Sequence, residues 1–201
     1  MNSEQVMPPD VGLVFGGIRK QFLWLNGTWD IYKRLFMTSQ EDVDLLNGMA
    51  PGFFNRCQVA FQDDIVLRIC RLCDRATQSG QQNMSLDQLY RVSCPHLDAG
   101  QQAEIKAQID VVKGLSKPFR DVRNKRLAHV DLPAAATSAD TFYKGIAGQQ
   151  IEDMLHSIHC VLKTLSLDLT GGDLGFSGMG HKADQIITAL RGARACKLGK
   201  E

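Results

Sequence analysis

Seven residues, Arg123-Asn124-Lys125-Arg126-Leu127-Ala128-His129, place an arginine, an amide, two further cations and one imidazole on little more than a helical turn. A guanidinium binds phosphate through several directed N–H donors. An imidazole gains or loses a proton near neutral pH. An enzyme that moves a proton while stabilising phosphoryl charge needs both groups side by side. A solvated basic face with a satisfied histidine has the same composition, so the elements that carry these residues must decide between the two readings.

Geometry constrains the chemistry. Six residues on an ideal α-helix span about 600° of rotation, which sets Arg123 and His129 roughly 120° apart with about 9 Å of rise. Arg126, three residues before His129, is the nearer neighbour. Three arrangements are open: a partner chain brings Arg123 across, the helix loosens near Ala128 ahead of Pro133, or Arg126 takes the phosphate. Asp131, two residues beyond the imidazole, either orients it or ends the helix.

The positioning elements read as helices almost throughout. Phe15, Ile18, Phe22, Leu25, Trp29, Tyr32 and Phe36 recur at three- and four-residue steps, the stripe of a long amphipathic helix. Ser39 caps a short helix through Leu46 that Asn47-Gly48 ends, and Pro51 opens a second long helix to about Arg75. Its inward face holds Phe54, Gln58, Phe61, Ile65, Ile69 and Leu72.

Gln78 to Asn83 is a polar loop, and Ser85 with Gln88 makes a capping box ahead of a short helix. Ile105, Ile109, Val112 and Leu115 mark a helix that Gly114 and Pro118 terminate. Pro118 then starts the helix bearing Arg123, which Pro133 ends. Ile151, Met154, Leu155, Ile158, Val161, Leu162 and Leu165 define a helix from about Thr141 to Leu167. The predicted architecture is an all-α bundle over residues 1–168, with 169–201 a Gly-rich linker and a short C-terminal helix.

Composition bounds the function. The chain of 201 residues is 44% apolar and 22% charged, enough for a real core in one domain. A net charge of +1 excludes a strongly basic nucleic-acid coat, so a polyanion must be attracted locally. Lys117, Arg120, Arg123, Lys125 and Arg126 against Asp121 supply such a spot, 5 − 1 = +4. No secretory signal and no membrane span are visible, and the six dispersed cysteines suit reduced thiols, so the expected location is cytoplasmic.

Other constellations carry less. Cys70-Arg-Leu-Cys73 with Cys94-Pro-His96 raises a zinc site, but the pair lies mid-helix and the second pair is incomplete, so packed thiols are expected and no metal. Gly175 to Lys182 lacks both the order and the preceding strand of a phosphate loop. His156 and His159 stand three apart with no further ligand and read as boundary residues. No G-x-S-x-G elbow is present for acyl transfer. Arg71 and Asp74 suit a structural ion pair linking helices.

Arg123, the polar Asn124 after it, four more residues and then His129 match the R-[N/D/H]-x4-H motif, and here the chain resembles the HEPN superfamily of α-helical proteins. Trp29 to Phe36, Arg68 to Asp74 with Asn83-Met-Ser-Leu86, and Val122 to Asp131 resemble its abortive-infection U branch. The resemblance covers roughly residues 20–165, with Gly171 onward outside it.

It implies a HEPN-like bundle and an endoribonuclease that needs no metal or other cofactor, works as a homodimer on RNA, and is often the toxin of a defence or toxin–antitoxin system. His129 would be general acid or base and Arg123 would stabilise the phosphoryl oxygens, with Asn124, Lys125, Arg126 and Asp131 supporting or binding RNA. An antitoxin protein is then a possible partner, and no membrane is. Some relatives carry a tyrosine where Asp131 stands, a site of modification by the antitoxin. The competing readings are a non-catalytic nucleotide- or RNA-binding module of the same type, and a helical interaction protein whose basic helix docks an acidic partner.

Overall fold

A computed structural model describes residues 6–128, 146–174 and 181–198. Helices dominate it: α1 (Pro9–Phe36), α2 (Gln40–Met49), α3 (Pro51–Leu72), α4 (Leu86–Ser93), α5 (Ala99–Leu115), α6 (Lys117–Val122), α7 (Gly148–Thr170) and α8 (His181–Leu198). The all-α reading holds. The chain divides into two compact units, Met1–Leu23 with Val66–Phe176, and Trp24–Ile65 with Ser177–Glu201. The division falls inside α1 and α3, so each of these helices supplies both units.

In the first unit the expected apolar stripes point inward. Phe15 and Ile18 of α1, Ile69 and Leu72 of α3, Ile105, Ile109 and Val112 of α5, and Ile158, Val161, Leu162 and Leu165 of α7 are buried. The four-residue repeats of α5 and α7 give each helix one apolar face, and these two helices pack extensively on each other. Gln108 Nε2 donates to Thr164 Oγ1 (3.1 Å) at that seam. Asp98 caps α5 through a full capping box with Gln101, both bonds at 2.9 Å, a feature the sequence reading overlooked.

In the second unit Leu35, Leu45, Leu46, Phe54, Ala183 and Ile187 form the core, with Phe36, Phe61 and Leu190 partly buried against it. A buried charge cluster stands beside this core. Asp42, 2% exposed, accepts from Arg34 Nη1 and Arg191 Nη2, each at 2.7 Å, and Arg34 also pairs with Asp184. The C-terminal helix α8, 18 residues long, is therefore held by charge as well as by apolar contact.

Several boundaries differ from the sequence expectation, each for a local reason. Ser39 does cap α2 by accepting from Asp42 N (3.1 Å), but the helix runs through Asn47-Gly48 to Met49 because an isolated glycine weakens a helix without stopping it. α3 ends at Leu72, not Arg75. The polar loop is a small hairpin, with β1 (Thr77–Gln78) antiparallel to β2 (Gln81–Gln82). Ser79 and Gly80 turn it with φ of 51° and 79°, the double left-handed pair of a tight hairpin turn.

The capping box at Ser85 is half formed. Ser85 Oγ accepts from Gln88 N (3.4 Å), yet the buried Gln88 Oε1 has no partner among the described residues. α7 starts at Gly148, since Ile146 and Ala147 are not helical, and it extends to Thr170, where left-handed Gly171 (φ 67°) closes it. The expected earlier start at Thr141 lies outside the described residues.

Candidate functional site

Arg123 begins a change of helix. α6 covers only Lys117–Val122, and Arg123–Ala128 form a π-helix, in which each N–H reaches a carbonyl five residues back instead of four. The 120° separation worked out for an α-helix therefore does not apply to this segment. The backbone is thus loosened up to Ala128, while His129, which would have to meet Arg123, lies outside the described residues. π-turns are uncommon and occur frequently at functional sites.

The Arg123 side chain is fixed on two sides. Its Nη1 donates to Asp74 Oδ1 (3.1 Å) and its Nε to Asn124 Oδ1 (3.2 Å). The next residue's amide thus braces the guanidinium, which gives a physical reason for a short polar acceptor directly after the arginine. Arg123 and Asp74 are each about a quarter exposed, 27% and 26%. A planar fork of five donors keeps donors to spare after two such bonds.

Asp74 owes its position to local folding. It lies just past the end of α3, where Asp74 N donates to Arg71 O (3.3 Å). The hairpin then returns the chain, with Asn83 N donating to Ala76 O and Asn83 Nδ2 to Arg75 O, both 2.8 Å. The ion pair linking separate helical segments exists, but its cation is Arg123; Arg71 is exposed. This role of Asp74 was missed, because no local pattern in the sequence links it to Arg123.

The neighbouring cations are less free than the count of +4 implied. Lys117 pairs with Asp121 (3.1 Å), and Arg120 Nη2 donates to Lys113 O (2.9 Å) at the end of α5. Lys113 in turn pairs with Asp87 at the start of α4. Asn124 and Lys125 are exposed. The side chain of Arg126, His129 and Asp131 all lie outside the described residues.

The cysteine pair behaves as core. Burial pushes the Cys70 thiol up to about 11, with Arg123 only partly offsetting it, and the Cys73 thiol up to about 12 despite a hydrogen bond with Ser116. Neither thiol ionises near neutral pH, as suits small side chains packed in a core. His159 stacks on Phe22 (centroids 6.3 Å apart, planes 24°), and burial with nearby Lys163 and His156 lowers its pKa. His156 is exposed, as a boundary residue would be.

A helical bundle with an arginine braced at a π-turn and a histidine six residues further along the chain defines an all-α HEPN-like protein. The chain belongs to the AbiU2 family of HEPN proteins, whose family model matches residues 11–186. The match reaches beyond the expected 20–165 and takes in the segment after Gly171 and the first part of α8. No curated protein and no solved structure matches the chain. Membership makes this an abortive-infection-type HEPN module. Among the described residues no helix is long and apolar enough to cross a membrane.

Proposed function

We propose that this protein is an endoribonuclease of an abortive-infection or toxin–antitoxin system, cutting RNA without a metal ion from a dimeric active site. The observation that carries the reading is the guanidinium of Arg123, braced by Asp74 and Asn124 at the first residue of a π-turn, in a chain of the HEPN AbiU2 family. Holding a cation in place before substrate arrives is what electrostatic stabilisation of a phosphoryl transition state requires.

The chemistry follows from the residues. A ribose 2′-OH attacks the adjacent phosphorus, the 5′-oxygen leaves, and a cyclic phosphate forms. His129 takes the hydroxyl proton or delivers one to the leaving oxygen, a contribution of about 10²–10⁴-fold. Arg123 steadies the charge gathering on the non-bridging oxygens. Asn124, Lys125 and Arg126 flank the scissile linkage, and Asp131 orients the imidazole or ends its helix. One histidine cannot act as acid and base at once, so two copies related by a two-fold axis supply the pair. An antitoxin protein that covers this cleft would hold the activity in check, and aspartate at position 131 offers no tyrosine hydroxyl there for an antitoxin to modify.

Incubation with total RNA in EDTA tests the reading. Wild type should cut and leave cyclic phosphate ends, and His129→Ala should not. Intact RNA with wild-type protein purified free of any partner would overturn it. Equal cutting by wild type and His129→Ala would do the same.

A further inference from the structure

The hairpin that follows Asp74 has little to hold it by itself. Its strands, Thr77–Gln78 and Gln81–Gln82, are exposed and carry no apolar side chain. A lone two-stranded hairpin is marginal in water, so something outside it must fix its ends. The base of this one lies beside Asp74, and Asp74 braces Arg123.

Asn83 stands at that base. Its backbone N–H donates to the Ala76 carbonyl and its Nδ2 to the Arg75 carbonyl, both at 2.8 Å. The two residues that follow Asp74 are thus tied to one half-buried side chain and its own backbone. A carbonyl only accepts, so the amide nitrogen is the atom required here. Aspartate would fill the same space without the donor.

The residues after Asn83 anchor it. Met84 O accepts from Gln21 Nε2 of α1 (3.3 Å). The Met84 thioether lies over Gly17 of the same helix, where an added Cβ would stand 2.7 Å from Sδ. Ser85 then caps α4. Asn83 is therefore held from α1 and α4, and it carries that restraint across the base of the hairpin to the backbone beside Asp74.

We propose that Asn83 is a positioning residue for Arg123, acting through the Arg75–Ala76 backbone and Asp74. Its effect on cleavage rests on the ribonuclease reading, and its effect on the order of Arg123 does not.

Arginine side-chain NMR of the full-length chain separates the two. In the wild type the guanidinium signals of Arg123, assigned by their loss in Arg123→Ala, should be shifted away from those of solvated arginines. Asn83→Ala and the gentler Asn83→Asp should move them to the solvated position, with the helical circular dichroism kept. Gln82→Ala, an exposed neighbour in the same hairpin, should leave them in place. In an Asp74→Ala background Asn83→Ala should change them no further. Where wild type cuts RNA, kcat should fall by up to about tenfold with KM unchanged, the worth of one neutral hydrogen bond. Arg123 signals unmoved in both Asn83 variants, or moved as far by Gln82→Ala, overturn the proposal. Signals that shift as expected in a wild type that cuts no RNA uphold it and sink the ribonuclease reading alone.

Discussion

Replacing Asp74 by Asn isolates what the carboxylate does for Arg123. The amide keeps the size of the side chain and can still accept from Nη1, so the charge is what disappears. A hydrogen bond to a charged group contributes about 1.5–3 kcal/mol. Both side chains are about a quarter exposed, and solvent screening brings the figure down to about 1–2 kcal/mol. If that energy holds the guanidinium where the phosphoryl oxygens pass, kcat falls by about 5- to 30-fold. The assay is single-turnover cleavage of one RNA fragment that wild type cuts, with melting temperatures measured alongside. The double-mutant cycle of Asp74→Ala and Arg123→Ala decides the mechanism. Asp74 acting through Arg123 predicts that the second substitution adds almost nothing to the loss in kcat. Additive losses would refute the coupling, and faster cleavage by Asp74→Asn would mean that the carboxylate restrains the arginine.

Arg123→Ala should lose more cleavage than Arg126→Ala; equal losses in kcat would undo the assignment of the phosphate role. Purified variants that remain monomeric should cut RNA far more slowly than the dimer, measured by sedimentation together with cleavage. Asp42→Asn should destabilise the protein by about 3 kcal/mol, the lower end for a broken buried pair since Arg34 and Arg191 keep access to water, as read by chemical denaturation. Arg34, chiefly, lowers the Asp42 pKa. The folded carboxyl thus titrates below its unfolded value of about 3.9, and this stabilisation is present above that value and lost as pH falls through the folded pKa. Acid titration of the Asp42→Asn variant should show a correspondingly flatter loss of stability.

Periodicity made the helices legible, because an amphipathic stripe is a local pattern that burial then enforces. Phe15 to Trp29 and Ile151 to Leu165 are buried as their spacing demanded. The failures came where non-local terms decide. Gly48 continues α2 because the turn around it is otherwise helical, and a hairpin of two-residue strands leaves too short an alternation to be read. At the site, residue types were legible and their partners were not. Nothing in the text of the sequence ties Asp74 to Arg123, 49 positions apart, nor announces that the backbone widens to a π-turn at Arg123.

That turn gives two of the three resembling stretches, Arg68–Asp74 with Asn83–Leu86 and the one that begins at Val122, a common physical purpose. The stretch at Arg68–Asp74 ends α3 and supplies a carboxylate; the stretch at Asn83–Leu86 pins the chain beyond that carboxylate through the Arg75 carbonyl and then caps α4; the stretch at Arg123 receives the charge. A guanidinium on a flexible stem loses about 2 kcal/mol of rotamer freedom when ordered. In the proposed ribonuclease Asp74 and Asn124 meet that loss during folding, before RNA binds, so it is not charged against catalysis. A chain selected only to bind RNA electrostatically would gain by leaving this arginine unpaired, since the carboxylate beside it repels phosphate. In the proposed ribonuclease the carboxylate gives up some attraction for the polymer in exchange for accurate placement of one cation.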